Sequence, residues 1–117
     1  MTAWIALAVA IGFEIAGTSL LKASDGFTRW GLGMGAMACY WVCFGALAFA
    51  FRTIPVGVAY AIWSGVGIVA IASIGWAVFR QPLSMVQIGC MALILFGTIG
   101  LNLATVRDAD ATATAAR

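Results

Sequence analysis

The chemistry of this chain starts from one carboxylate, Glu14, in the middle of LAVAIGFEIAGTSLL, Leu7 to Leu21, a stretch otherwise composed like a helix in hydrocarbon. An ionisable side chain at mid-bilayer depth costs roughly 2.5 to 3.5 kcal/mol on insertion scales, so its presence points to a buried ion pair or a functional group. The basic residues are Lys22, Arg29, Arg52, Arg80, Arg107 and Arg117, all at the ends of apolar segments or outside them. Lys22 stands about 12 Å from Glu14 along a helix, beyond direct contact. With no resident counter-ion, the carboxylate is available to a transient partner.

The neighbouring residue types say which partner. Trp4, Leu7, Ile11, Glu14 and Thr18, with Ala10 and Gly17 beside them, recur at the three- and four-residue spacing of one helical face. Two further stripes, Tyr40, Cys43, Phe44 and Leu47, and Tyr60, Trp63 and Gly67, can line up against it. Aromatic stripes often do no more than pack, and Trp4, Trp30 and Trp76 read as anchors at the membrane interface. Tyr40, Tyr60 and Trp63 lie inside apolar segments instead. A carboxylate ringed by aromatic faces suits an organic cation, held by charge and by cation–π contacts of roughly 0.5 to 2 kcal/mol each. The same group can carry a proton, because desolvation penalises a carboxyl group's charged form. If proton and cation exclude each other, and the site opens to one side of the membrane and then the other, a proton gradient drives the cation outward.

These residues must be placed by membrane helices. The 117 residues are 64% hydrophobic and 9% charged, against roughly 45 to 50% and 25% in soluble domains, so the chain is an integral membrane protein. Four apolar segments, at about 3–21, 30–51, 56–79 and 84–106, each approach the ~20 residues that span a bilayer. They are separated by the hydrophilic turns KASDGFTR, RTIP and RQP. The expected fold is all-α, one transmembrane domain over 1–106 with a disordered polar tail over 107–117. The first segment reads as a retained helix, since it lacks a basic leader and carries Glu14 where a cleavable signal would be purely apolar. Gly65 and Gly67 read as a flexible point in the third helix. Gly89, Cys90, Leu93, Ile94 and Gly97 form a small-residue contact surface on the fourth.

Several classes are excluded. There is no His, and Cys39, Cys43 and Cys90 suit apolar packing better than metal ligation. No nucleophile has a matched base, so an enzyme is not expected, and neither is a cofactor. A net charge of +2 without a basic cluster is no nucleic-acid footprint. Four helices are too thin to enclose a site and alternate its access, so at least a dimer is expected. The first and third turns together hold three basic residues, Lys22, Arg29 and Arg80, and the second turn and tail hold Arg52, Arg107 and Arg117. A balanced count leaves orientation weakly fixed, and two oppositely inserted copies would build an inverted repeat.

With these residues in view, the chain resembles the small multidrug resistance family of bacterial proton-coupled exporters. The likeness runs from about Trp4 to Leu103 and is strongest in EIAGTSLLKASDGFTR and IPVGVAYAIWSGVGIV. It implies an antiparallel homodimer in the bacterial inner membrane. Glu14 would be the shared proton and substrate site, with Gly17 and Thr18 on its face. Tyr40, Phe44, Tyr60 and Trp63 would be the aromatic pocket, Gly65 and Gly67 the flexible point, and Gly97 part of the dimer-forming helix. Ala16-Gly17-Thr18 and Ile62-Trp63-Ser64-Gly65 are similar to the branch that exports polyaromatic and quaternary ammonium cations. Trp4 stands where that branch usually has Tyr, Cys43 where it often has Ser, and Cys90 where the fourth helix usually has Gly. A guanidinium exporter of the same fold, and a non-transporting subunit of a heteromer, remain as alternatives.

Overall fold

A computed structural model describes all of Met1–Arg117. It contains four helices, α1 (Thr2–Ala23), α2 (Trp30–Ala50), α3 (Val56–Ala77) and α4 (Met85–Ala115), joined by short turns. Each is long and apolar enough to cross a membrane. In hydrocarbon the backbone has no partner but itself, so these runs become helices whatever their individual propensities.

The turns carry the local chemistry that ends and restarts them. After α1, the Ser24 hydroxyl donates to the Leu21 carbonyl and accepts from the Phe27 amide. Asp25, Gly26 and Phe27 are then left-handed in succession, with φ of 52°, 63° and 65°. Asp and Gly tolerate that region; Phe27 is held there by its ring, which rests on Gly33 where any Cβ would collide with it. Pro55 caps the start of α3. Ser84 opens α4 with a capping box, its hydroxyl accepting from the Gln87 amide while its own amide donates to the Gln87 side chain.

Helix α1 is the spine. It packs along α2 and against α3, and α4 joins through α3. The molecule is 59 Å long, 34 Å wide and 16 Å thick. The helices neighbour one another in the order α2, α1, α3, α4, so the four form a single layer. One layer can bury little, and 17 of the 117 residues are buried. The core is the seam joining α1, α2 and the start of α3, made of Ala3, Leu7 and Ala10 with Cys43, Leu47, Ala50, Ile54, Val58 and Ala59. Small residues bring the helices close: a Cβ on Gly17 would lie 3.2 Å from Cys39 Cβ and 3.3 Å from the Ala36 carbonyl oxygen.

The only buried residue of α4 is Thr98. Its hydroxyl donates to the Ile94 carbonyl at 2.9 Å and reaches the Ala61 carbonyl of α3 at 3.4 Å. It sits over Gly65, where a Cβ would run into it. Gly89, Cys90, Leu93 and Gly97 lie on exposed surface of α4 with this chain leaving them uncovered. Ile94 turns toward α3, its Cγ2 3.5 Å from where a Gly65 Cβ would be.

One expectation differs from the structure. The tail continues α4 as helix to Ala115 instead of being disordered. Alanine is the best helix former, the segment has neither Gly nor Pro to stop it, and extending an existing helix avoids the cost of nucleation. Helix α3 runs unbroken through Gly65 and Gly67. Both glycines are buried and serve close approach, Gly65 toward α4 and Gly67 toward Glu14. Gly65→Val should therefore unseat α4 at about 1 to 3 kcal/mol, the usual cost of overpacking. Titration of folded protein with a denaturing detergent reads this as an earlier midpoint, whereas Gly45→Val, which meets nothing in this chain, should leave the midpoint in place.

Candidate functional site

Glu14, Thr18 and Lys22 recur every four residues along α1, and Trp63, Gly67 and Ile71 do so along α3, so the facing stripes of the two helices form a groove. At its inner end is a cavity of about 210 Å³ lined by Glu14, Thr18, Trp63, Ser64, Gly67, Ile68 and Ile71. The carboxylate is held from one side only. Thr18 Oγ1 donates to Glu14 Oε1 at 2.9 Å, and the Tyr40 hydroxyl lies 2.8 Å from the same Thr18 oxygen. A threonine has one hydroxyl proton, so with that proton on Glu14 it is Tyr40 that donates to Thr18. The result is a relay from α2 through α1 to the carboxylate.

The other oxygen has no such support. Glu14 Oε2 is buried without a hydrogen-bond partner, and the only other side-chain polar atom in that condition is Trp63 Nε1, on the same cavity. Leaving a buried polar atom unpaired costs about 1 to 3 kcal/mol, more when it is charged. The indole of Trp63 turns toward the Cys43 thiol in the core, so Glu14 Oε2 is the one buried carboxylate oxygen this chain leaves without a donor. Gly67 makes room for it: a Cβ there would stand 3.0 Å from Glu14 Oε2.

The aromatic residues form a connected set leading away from the carboxylate. Trp63 meets Tyr60 edge-on with ring centroids 5.2 Å apart, and Phe44 at 6.2 Å; Phe44 in turn meets Tyr40 at 6.5 Å. Tyr60 and Phe44 remain 53% and 56% exposed, so their faces are open to a ligand or a second molecule.

The structure brings together Glu14, Thr18 and Trp63 at the cavity, with Tyr40, Phe44 and Tyr60 one contact away. It does not bring the whole expected face there. Leu7, Ala10 and Cys43 are in the buried core, with Ile11 packed against it, because α1 is wedged between two helices and spends that part of its surface on them. Gly17 faces α2. Trp4 lines a separate cavity of about 110 Å³ near the opposite end of the layer, with Thr53, Asn102 and Thr105 among its neighbours. Ser64, Ile68 and Ile71 line the site and were not singled out from sequence. Their spacing to Trp63 and Gly67 on α3 is the signal that could have found them.

A family model described as Small Multidrug Resistance protein matches residues 2–94. The chain belongs to the small multidrug resistance family. It is 46% identical over 103 residues to the multidrug transporter EmrE of Escherichia coli K12, covering 88% of this chain and 94% of that one. It is 45% identical to the quaternary ammonium compound-resistance protein QacF of Klebsiella aerogenes, with the same coverage. It is also 38% identical over 109 residues to the nicotine metabolites export pump subunit NepB of Paenarthrobacter nicotinovorans, covering 93% of this chain and 66% of that relative. With its four apolar helices, this member of the family is a multi-pass protein of the bacterial inner membrane.

The Gly67 contact gives a prediction that separates room for the carboxylate from helix flexibility. Gly67→Ala should make α3 a better helix by up to about 1 kcal/mol, yet weaken cation binding because the new methyl group presses on Glu14 Oε2. Equilibrium binding of a quaternary ammonium dye and helix content by circular dichroism, read on one preparation, test both halves.

Proposed function

We propose that this protein is a proton-coupled antiporter that exports lipophilic and quaternary ammonium cations, with proton and cation competing for Glu14. The observation that carries this reading is the orphaned Glu14 Oε2 in an apolar layer. A proton satisfies that oxygen as an O–H group; an organic cation satisfies it by charge. No basic residue of the chain competes for it.

The remaining parts follow from the same site. Trp63, Tyr60 and Phe44 offer ring faces to a cation, while Thr18 and Tyr40 keep the carboxylate aimed at the cavity. Aromatic faces select charge and flat apolar bulk and need no fixed donor pattern, which suits a broad range of cations. The names of the relatives, multidrug transporter and quaternary ammonium compound-resistance protein, favour this branch over guanidinium-type ions. The driving force is the proton gradient, with no cofactor. A single layer of four helices is too thin to enclose the site and alternate its access, and a second copy would complete it. The balanced basic residues favour an inverted copy, an antiparallel homodimer that brings two Glu14 carboxyls to one site. Gly89, Cys90, Leu93 and Gly97, uncovered in this chain, are available to that contact.

A second reading, one half of a two-component pump, is favoured by the relative named as a pump subunit. It predicts that the purified chain alone neither binds a cation nor releases a proton. In vesicles carrying a pH gradient, wild-type protein should transport a quaternary ammonium dye and Glu14→Gln should not, with proton release on dye addition lost as well. Dye transport retained by Glu14→Gln would overturn the proposal.

A further inference from the structure

Glu14 Oε1 accepts one hydrogen bond, from Thr18, and Glu14 Oε2 accepts none, so a single hydroxyl is all the hydrogen-bonding support this chain gives the carboxylate. That hydroxyl is unusual for its setting. A serine or threonine inside a helix commonly turns its hydroxyl back onto the carbonyl four residues earlier. Thr98, Thr105, Thr112 and Thr114 all do so here, and so do Ser19 and Ser73. Thr18 does not. Its oxygen stands 2.9 Å from Glu14 Oε1 and 2.8 Å from the Tyr40 hydroxyl, and its own helix backbone takes no part.

Tyr40 reaches Thr18 because the neighbouring backbone is bare. A Cβ on Gly17 would lie 3.2 Å from Tyr40 Cε1, so the glycine gives the ring its seat. The Tyr40 hydroxyl in turn bonds to Thr18 alone. Three oxygens in line then share two hydroxyl protons. With Glu14 charged, both point the same way, from Tyr40 to Thr18 and from Thr18 to the carboxylate. Hydrogen bonds in such a chain polarise and strengthen one another. Nothing else in the chain competes for this role. Neither α2 nor α3 carries a charged residue, and on α1 the nearest charge is Lys22, about two turns away. The titratable groups that α2 and α3 place around Glu14 are Tyr40, the Cys39 and Cys43 thiols and, behind Trp63, Tyr60. Of these, only Tyr40 is joined to the carboxylate by hydrogen bonds.

We infer that Thr18 and Tyr40 are positioning residues that set the pH at which proton and cation change places, and that the Tyr40 hydroxyl acts on Glu14 through Thr18 instead of on the cation. The inference rests on the exchange proposed above and adds what poises it. A hydrogen bond to a carboxylate is worth about twice one to a neutral carboxyl group. The chain of hydroxyls therefore supports the charged form of Glu14 more than the protonated one. Glu14 is charged both when the site is empty and when it holds a cation, so this support cancels between those two states. It counts only against the proton, and so weights the competition toward the cation.

The test is the equilibrium affinity of the purified full-length protein for a quaternary ammonium dye, followed from alkaline to acid pH. The midpoint is the pH at which affinity has fallen to half its alkaline value, and it reports how the empty site holds its proton. Thr18→Val keeps the shape of the side chain and removes the hydroxyl; it should raise the midpoint by about one pH unit. Tyr40→Phe keeps the ring and removes only the far link, and should raise it by about 0.3 unit. In the Thr18→Val background the same tyrosine substitution should add nothing, because the link it cuts is already broken. Thr18→Ser, which restores a hydroxyl, should bring the midpoint back toward the wild-type value. A midpoint that stays in place in Thr18→Val or in Tyr40→Phe would overturn the inference, and so would a Tyr40→Phe effect that survives in full in the Thr18→Val background. A role confined to aiming the carboxylate or touching the cation gives that contrary result, a changed alkaline affinity with the midpoint in place. Tyr40→Phe against wild type decides the question should Thr18→Val fail to fold. Failure of the exchange reading itself shows differently, as a wild-type affinity that does not vary with pH.

Discussion

A carboxylate oxygen without a donor, held inside a layer of apolar helices, organises this molecule. Glu14 Oε1 is fixed by Thr18, and Thr18 by Tyr40, so the group cannot swing away to find a partner. Its second oxygen is left facing a cavity. In the proposed exchange the missing partner is supplied from outside, as a proton or an organic cation. One oxygen then serves both, so their competition requires no long-range coupling.

Close approach is the second theme, and it follows from the first. A single layer has few buried contacts, so helices hold together only where their backbones nearly touch. Gly17 lets α1 reach α2, Gly65 seats Thr98 of α4, and Gly67 gives the carboxylate its space. These glycines act through absent methyl groups, in an α3 that remains one continuous helix. The thinness has a further consequence. The aromatic set built from Tyr40, Phe44, Trp63 and Tyr60 lies partly exposed, with more than half of Phe44 and Tyr60 uncovered by this chain.

Much of this was legible from residue types alone. Glu14 stood out because a charge in hydrocarbon has to be explained, and Thr18 and Trp63 followed from helical spacing. The four helices and their turns were visible because hydrocarbon enforces helix and because Asp-Gly, Pro55 and Pro82 punctuate the apolar runs. What the sequence left open was which neighbour each face of α1 meets. Periodicity puts Leu7, Ala10 and Glu14 on one face, but only the packing shows that α2 and α3 cover the first two and leave the third at a cavity. Which neighbours Gly65 and Gly67 approach was hidden for the same reason, since a glycine reads alike for contact and for flexibility. The polarity of the tail argues for disorder, while its alanines and an already formed helix favour continuation to Ala115.

Competition at one carboxylate is tested most directly by the affinity of the purified protein for a quaternary ammonium dye as a function of pH. Exclusion by one proton predicts that affinity falls by up to about tenfold for each unit of acidification once the site holds protons, and levels off in alkali. Glu14→Gln should show neither the slope nor the alkaline plateau of tight binding. Wild-type affinity that is independent of pH across this range would contradict the account.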